Sequence, residues 1–185
     1  MLIPLCITVT ALAEPPASDR ADTADKSPDK AKLGEALSVL HAVSEWSTTL
    51  GQMADKRAKS DLVKNYAREM ATANANADTK LRSAAQKAGV EIGPIDSKTE
   101  EGKSLLDRMK AEKVLLGSLE GDAFDKEYMT LVTNTQQSVI HLLETNKASA
   151  QDPAVQQVLG DMITTVQNRL KKAQDIMATI YGNNV

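Results

Sequence analysis

Residues 152–182, DPAVQQVLGDMITTVQNRLKKAQDIMATIYG, decide the architecture of this chain. Asp152 stands where an N-cap side chain accepts from free backbone N–H groups. Pro153 occupies a first-turn position whose missing N–H breaks no hydrogen bond. Behind them Val155, Leu159, Met162, Val166, Leu170, Ala173, Met177 and Ile180 recur at the spacing of one helix face, and Gly182 closes the run. The stretch predicts an amphipathic helix on the order of 40 Å long, at about 1.5 Å per residue. A helix of that length needs partners of equal length to cover its stripe.

Three earlier segments supply them. The first covers about 29–57, with Leu33, Ala36, Leu40, Val43, Leu50 and Ala54 on one stripe. The second covers about 61–88, opening after Ser60 and repeating Leu62, Tyr66, Met70, Ala73, Ala77, Leu81, Ala84 and Ala88 before Gly89 stops it. The third covers about 123–149, with Asp122 as its expected cap and Phe124, Tyr128, Leu131, Thr135, Val139 and Leu142 on its face. None of the six prolines, at 4, 15, 16, 28, 94 and 153, interrupts a periodic segment, and a proline inside one would break it. Short connections make antiparallel hairpins of segments one and two and of segments three and four. The connection between the hairpins is long, about 89–122. It holds a Gly93-Pro94 turn, a Ser97-x-x-Glu100 capping box and a shorter amphipathic helix through Leu105, Leu106, Met109, Leu115, Leu116 and Leu119. The expected fold is therefore all-α: a four-helix bundle over residues 33–182 with a helix-bearing crossover, as in ferritin-like bundles.

Composition agrees and excludes several functions. The chain has 185 residues, 42% hydrophobic but only 3% aromatic, which suits one domain with a core of Ala, Leu, Val and Met. A formal net charge of -3 offers no basic field for nucleic acid. One cysteine and two histidines exclude a disulfide scaffold and leave no set for a thiolate zinc site.

The first thirteen residues, MLIPLCITVTALA, carry no charge and end in the small-x-small pattern Ala11-Leu12-Ala13. They read as a secretory signal peptide cleaved after Ala13, although no Lys or Arg precedes the apolar run. The run is too short to span a bilayer, which takes about 20 apolar residues. Cys6 lies within it, but Pro4 and Leu5 stand where a lipidation signal has small residues. Residues 14–32, rich in Pro, Ser, Asp and Lys, read as a flexible linker. The mature chain then has no cysteine and no transmembrane helix, and its expected location is periplasmic or secreted.

The chemistry-bearing residues are few. His41 precedes Glu45 and His141 precedes Glu144, the reverse of the Glu-x-x-His order of ferritin-like metal bundles. Both lie more than about 100° from their apolar stripes, so both are expected to face solvent or at most a partner. Met53, Met70, Met109, Met129, Met162 and Met177 fall mostly one at a time on core stripes, where methionine fills gaps. No phosphate loop, nucleophile elbow or cysteine nucleophile is present. Trp46, at the edge of the first stripe, is the first aromatic to consider for a partner surface, against the plainer reading of a core-edge tryptophan.

Several short motifs resemble a known family. They are Leu50-Gly51-Gln52-Met53-Ala54, Tyr66-Ala67-x-x-Met70, Phe124-Asp125-x-x-Tyr128, Asp152-Pro153 and Leu170-x-x-Ala173, spread over about residues 36–180. The chain is similar to the bacterial secreted or periplasmic proteins called domain of unknown function 4142, labelled predicted outer membrane proteins, with a ferritin-like helical fold. The resemblance implies a Glu before the Leu-Gly motif and three histidines in the other helices. At the matching positions this chain has Ser47, Asn74, Gln136 and Arg169. All four lie near mid-helix, within or beside the apolar stripes, and are candidates for one polar cluster at a single level of the bundle. A Glu/His set could bind a divalent metal; Ser, Asn and Gln are poor ligands, and Arg169 adds a fixed positive charge. The expectation is a non-catalytic envelope protein with a structural or binding role and no metal or other cofactor. Its partner would be another envelope protein or a second copy, not nucleic acid. The alternative is a ferritin-like metal-binding or oxidative-stress protein using the mid-bundle polar site, and a polar layer that only fixes helix register is the simplest reading of the cluster.

Overall fold

Uninterrupted helix-forming stretches give five α-helices, with no strand among the described residues. The computed structural model describes residues 28–182. The helices are α1 (Pro28–Arg57), α2 (Asp61–Lys87), α3 (Glu100–Ser118), α4 (Gly121–Ser149) and α5 (Pro153–Tyr181). The expected signal peptide and the linker as far as residue 27 lie outside the described residues. Residues 28–32, which composition assigns to the linker, form the first turns of α1.

Residues 58–60 join α1 to α2 and residues 150–152 join α4 to α5, so each pair is a tight antiparallel hairpin. The hairpins dock α1 beside α4 and α2 beside α5. The segment from residue 88 to 120, carrying α3 along the outside, returns the chain to the end where α1 gives way to α2. Neighbouring long helices are thereby antiparallel throughout, and the bundle is the expected all-α, ferritin-like one.

Local signals explain most helix ends. Asp152 accepts from the N–H groups of Ala154 at 2.7 Å and Val155 at 3.3 Å, with Pro153 opening α5. Gly89, at φ +65°, ends α2. Its N–H reaches Gln86 O at 3.1 Å while Val90 N–H reaches Ala85 O at 2.9 Å, the paired bonds of a Schellman motif. Two expected caps are displaced. The α3 cap is Thr99, whose hydroxyl accepts from Gly102 N–H, and not Ser97. Helix α4 begins at Gly121 behind Glu120, and Asp122 lies inside its first turn, paired at 2.8 Å with Lys59. A negative charge in a first turn suits the helix dipole as well as a cap does, and spacing alone does not separate the two roles.

The core has two apolar halves. One, at the α1–α2 turn, is built on Leu50, Val63, Tyr66, Phe124, Tyr128 and Met129. The other, at the α4–α5 turn, is built on Leu37, Leu40, Leu81, Leu143, Val155 and Leu159. On α2 the stripe begins at Val63, which is fully buried, while Leu62 is exposed. Gly51 explains the Leu-Gly motif. A Cβ there would stand 2.8 Å from Ala67 O and 3.1 Å from the Ala71 methyl, so α1 approaches α2 as closely as glycine allows.

Candidate functional site

Between the two apolar halves the facing side chains become small and polar. Helix α1 presents Ser44 and Ser47, α2 presents Ala73, Asn74 and Ala77, and α4 presents Thr135 and Gln136. Small residues facing each other leave space, and here it is an open cleft of about 260 Å³ between the hairpins. Ser47, Asn74, Gln136 and Arg169 all line it, one from each long helix.

Three of the four are joined by hydrogen bonds. Arg169 Nη1 donates to Asn74 Oδ1 at 2.9 Å, linking α5 to α2. Gln136 Nε2 donates to the Tyr66 hydroxyl at 2.6 Å, and Tyr66 donates in turn to Arg169 O at 3.3 Å. Ser47 shares the wall without joining this network. Tyr66 is thus the hub, and reading the four positions by resemblance misses it. A signal for it does exist: Tyr66, Met70 and Asn74 stand four residues apart on α2, one row on one face.

Burial sets the electrostatics of the layer. It pushes the Tyr66 phenol up to about 12, against the opposing Gln136 hydrogen bond and Arg169 charge, so the hydroxyl stays a neutral donor. Loss of solvent lowers the Arg169 pKa from its ordinary value. No carboxylate pairs with Arg169 among the described residues, and its bonded partner is a neutral amide. Gln136 is 4% exposed, and its Oε1 is buried with no hydrogen-bond partner. Around this polar layer the walls are apolar, with Leu40, Val43, Val132, Val139, Met162 and Val166 among them. Trp46 also lines the cleft, and its Nε1 donates to Met109 O of α3 at 3.2 Å.

The residues present do not suit a metal ion. Ser, Asn and Gln carry no negative charge to offset a cation, and the Arg169 guanidinium repels one. Among the described residues no three His, Cys, Asp or Glu side chains group where they could hold a metal. His41 departs from its expected position. Its ring is only 17% exposed, with Nδ1 2.6 Å from Asp78 Oδ1 on α2 and Nε2 3.7 Å from Glu45. An angle away from the α1 stripe points, in this hairpin, at the neighbouring helix and not at water. His141 is exposed, as expected. The methionines are dispersed: Met70 and Met129 are buried, while Met53, Met109, Met162 and Met177 are half-buried.

Two long hairpins, a helix-bearing crossover and a polar waist define a ferritin-like helical bundle. Within that class the chain belongs to the family called domain of unknown function (DUF4142), whose profile matches residues 16–176. The fold is also similar to the crystal structure of a Streptomyces coelicolor protein, DUF305, that is described as secreted. The TM-score is 0.64 at 15% identity, over 82% of this chain and 93% of that one. No curated protein matches. No helix among the described residues is long and apolar enough to cross a membrane.

Proposed function

We propose that this is an exported, non-catalytic binding protein of the cell envelope whose mid-bundle cleft receives a small ligand. The observation that carries this reading is the break in the core: a bundle selected for stability alone would fill its centre, yet here small side chains hold a cleft open around a desolvated cation. Catalysis is disfavoured by the lining, whose titratable groups are Arg169, Tyr128 and, on exposed positions, Lys80 and Asp161. None of these forms a base–nucleophile pair. Ser47, Asn74, Gln136 and Arg169, standing where the resemblance implies Glu and His, weigh in the same direction, against the metal-binding alternative. Export rests on the signal-like residues 1–13, and the mature N-terminus is expected at Glu14.

A cleft-filling variant tests the reading. Ala77→Leu adds bulk to the cleft wall on a helix that keeps its propensity. Small molecules that raise the melting temperature of the native protein should lose that effect in the variant. Equal stabilisation of both proteins would exclude the cleft as the binding site. In parallel, dialysis against iron, zinc and manganese should leave less than stoichiometric metal. Stoichiometric metal, abolished by Asn74→Ala and Gln136→Ala, would overturn the reading in favour of the metal-binding one.

A further inference from the structure

The ligand class follows from what the cleft leaves unpaired, given the reading of the cleft as a binding site. Arg169 brings a guanidinium with five N–H donors into a half-buried position, and one of them, on Nη1, is engaged by Asn74. A half-buried cation without a counter-charge favours an anionic guest, and a planar guanidinium suits a carboxylate. Gln136 adds a different requirement. Its Nε2 is used by Tyr66 and Met70, whereas its Oε1 is a buried acceptor awaiting a donor. The Tyr66 hydroxyl bonds Gln136 Nε2 and the main-chain O of Arg169, so Gln136 stands beside the stretch of α5 that carries the guanidinium, and both residues line the cleft. A bare carboxylate would answer Arg169 but set its own oxygens against Oε1. A carboxylate with a hydroxyl on the adjacent carbon answers both. The remaining wall, with Val132, Val139, Met162 and Val166, asks for a hydrocarbon body, and about 260 Å³ admits a short one. At the mouth the exposed Lys80 and Asp161 carry opposite charges, so selection for an anion falls to Arg169.

We propose that the cleft binds small amphipathic 2-hydroxy carboxylates, carboxylate on Arg169, hydroxyl on Gln136 Oε1 and hydrocarbon body against the aliphatic wall. Trp46 lines the cleft and is the one tryptophan of the chain, so its fluorescence reports occupancy. The probes are leucic acid, isocaproic acid (the same skeleton without the hydroxyl), isohexanol (without the carboxylate) and inorganic phosphate (without the body). Leucic acid should bind roughly tenfold or more tighter than each of the others. Arg169→Met should remove most of the preference for acids over isohexanol. Gln136→Leu should erase the advantage of leucic over isocaproic acid while leaving isocaproic acid bound. Circular dichroism establishes that each variant is folded.

Each contrary result is informative. Isohexanol binding as tightly as leucic acid would overturn the anion assignment and leave the cleft a binding site. Isocaproic acid equal to leucic acid would overturn the role of Gln136, and phosphate equal to leucic acid would overturn the hydrocarbon body. If no probe perturbs Trp46 fluorescence, isohexanol included, the proposal and the reading of the cleft fall together.

Discussion

Asp125 ties the two hairpins together at the α1–α2 turn. Only 1% exposed, its carboxylate accepts from Lys59 N–H at 2.9 Å and Ser60 N–H at 2.7 Å, from α4 across to the chain entering α2. Free N–H groups and the positive end of the α2 dipole meet there, so an anion is held without a cationic side chain bonded to it. This gives the Phe124-Asp125-x-x-Tyr128 motif a physical meaning: the aromatic pair fills the core, with rings stacked 6.3 Å apart, while Asp125 anchors the turn that leads into α2. Asp125→Ala should lower the unfolding free energy by about 2–4 kcal/mol, because two N–H groups lose a charged acceptor. Asp125→Asn, which keeps an acceptor but not the charge, should lower it by about 1 kcal/mol less. Urea unfolding of both variants checks the order, and equal small losses would show the carboxylate to be dispensable. Of the two aspartates near the start of α4, local spacing points to Asp122 as the cap, whereas the contact that matters joins Asp125 to residues more than sixty positions away.

At the scale of elements, the long helices were legible because each carries a continuous stripe and most end in a recognisable cap. Helix α3 was legible as a helix but not in its packing. Its repeated leucines suggest a buried face, yet among them only Leu116 is buried, while Leu106, Val114 and Leu115 are exposed. The helix is held by Leu116 in the core, by contact with α4, and by side chains from α1 bonding its carbonyls. Trp46 Nε1 donates to Met109 O, and Arg57 donates to Gly117 O at 3.0 Å and Leu119 O at 2.8 Å, with its guanidinium 5.4 Å from the centre of the Phe124 ring. Cationic donors at a helix C-terminus satisfy carbonyls that have no partner within the helix. Elements with few buried apolar contacts open at low free energy, so α3 should exchange its amide protons well before the four long helices do. Arg57→Ala should speed exchange across residues 100–118 and leave α5 unchanged. Equal protection of α3 and α5 in the native protein would show that α3 belongs to the cooperative core.

For the whole molecule, the decisive feature is that two apolar halves are separated by a layer that is imperfectly satisfied. The candidate positions are legible through resemblance and helical spacing; Tyr66, which links three helices, shares a row with Asn74, but its ring also fits the core stripe and spacing alone does not separate the two roles. Whether the layer serves binding or only helix register has an energetic answer. A half-buried cation bonded to an amide and a buried lone acceptor are unfavourable features of a folded state, and apolar replacement of such groups is commonly neutral or stabilising. Asn74→Leu alone should destabilise, because Arg169 loses the bond that holds it. Adding Arg169→Met should more than reverse that loss, taking the protein above its native stability by about 1–3 kcal/mol. Urea unfolding of the two single variants and the double variant reads this non-additivity directly. Should the layer fix register instead, the double variant would lose its near-ultraviolet dichroism and the sharpness of its unfolding, since helices facing an all-apolar seam can slide. A more stable, fully cooperative double variant that no longer binds leucic acid would mean that the native bundle keeps its polar waist at a cost in stability. That is the relation expected between a scaffold and the site it carries.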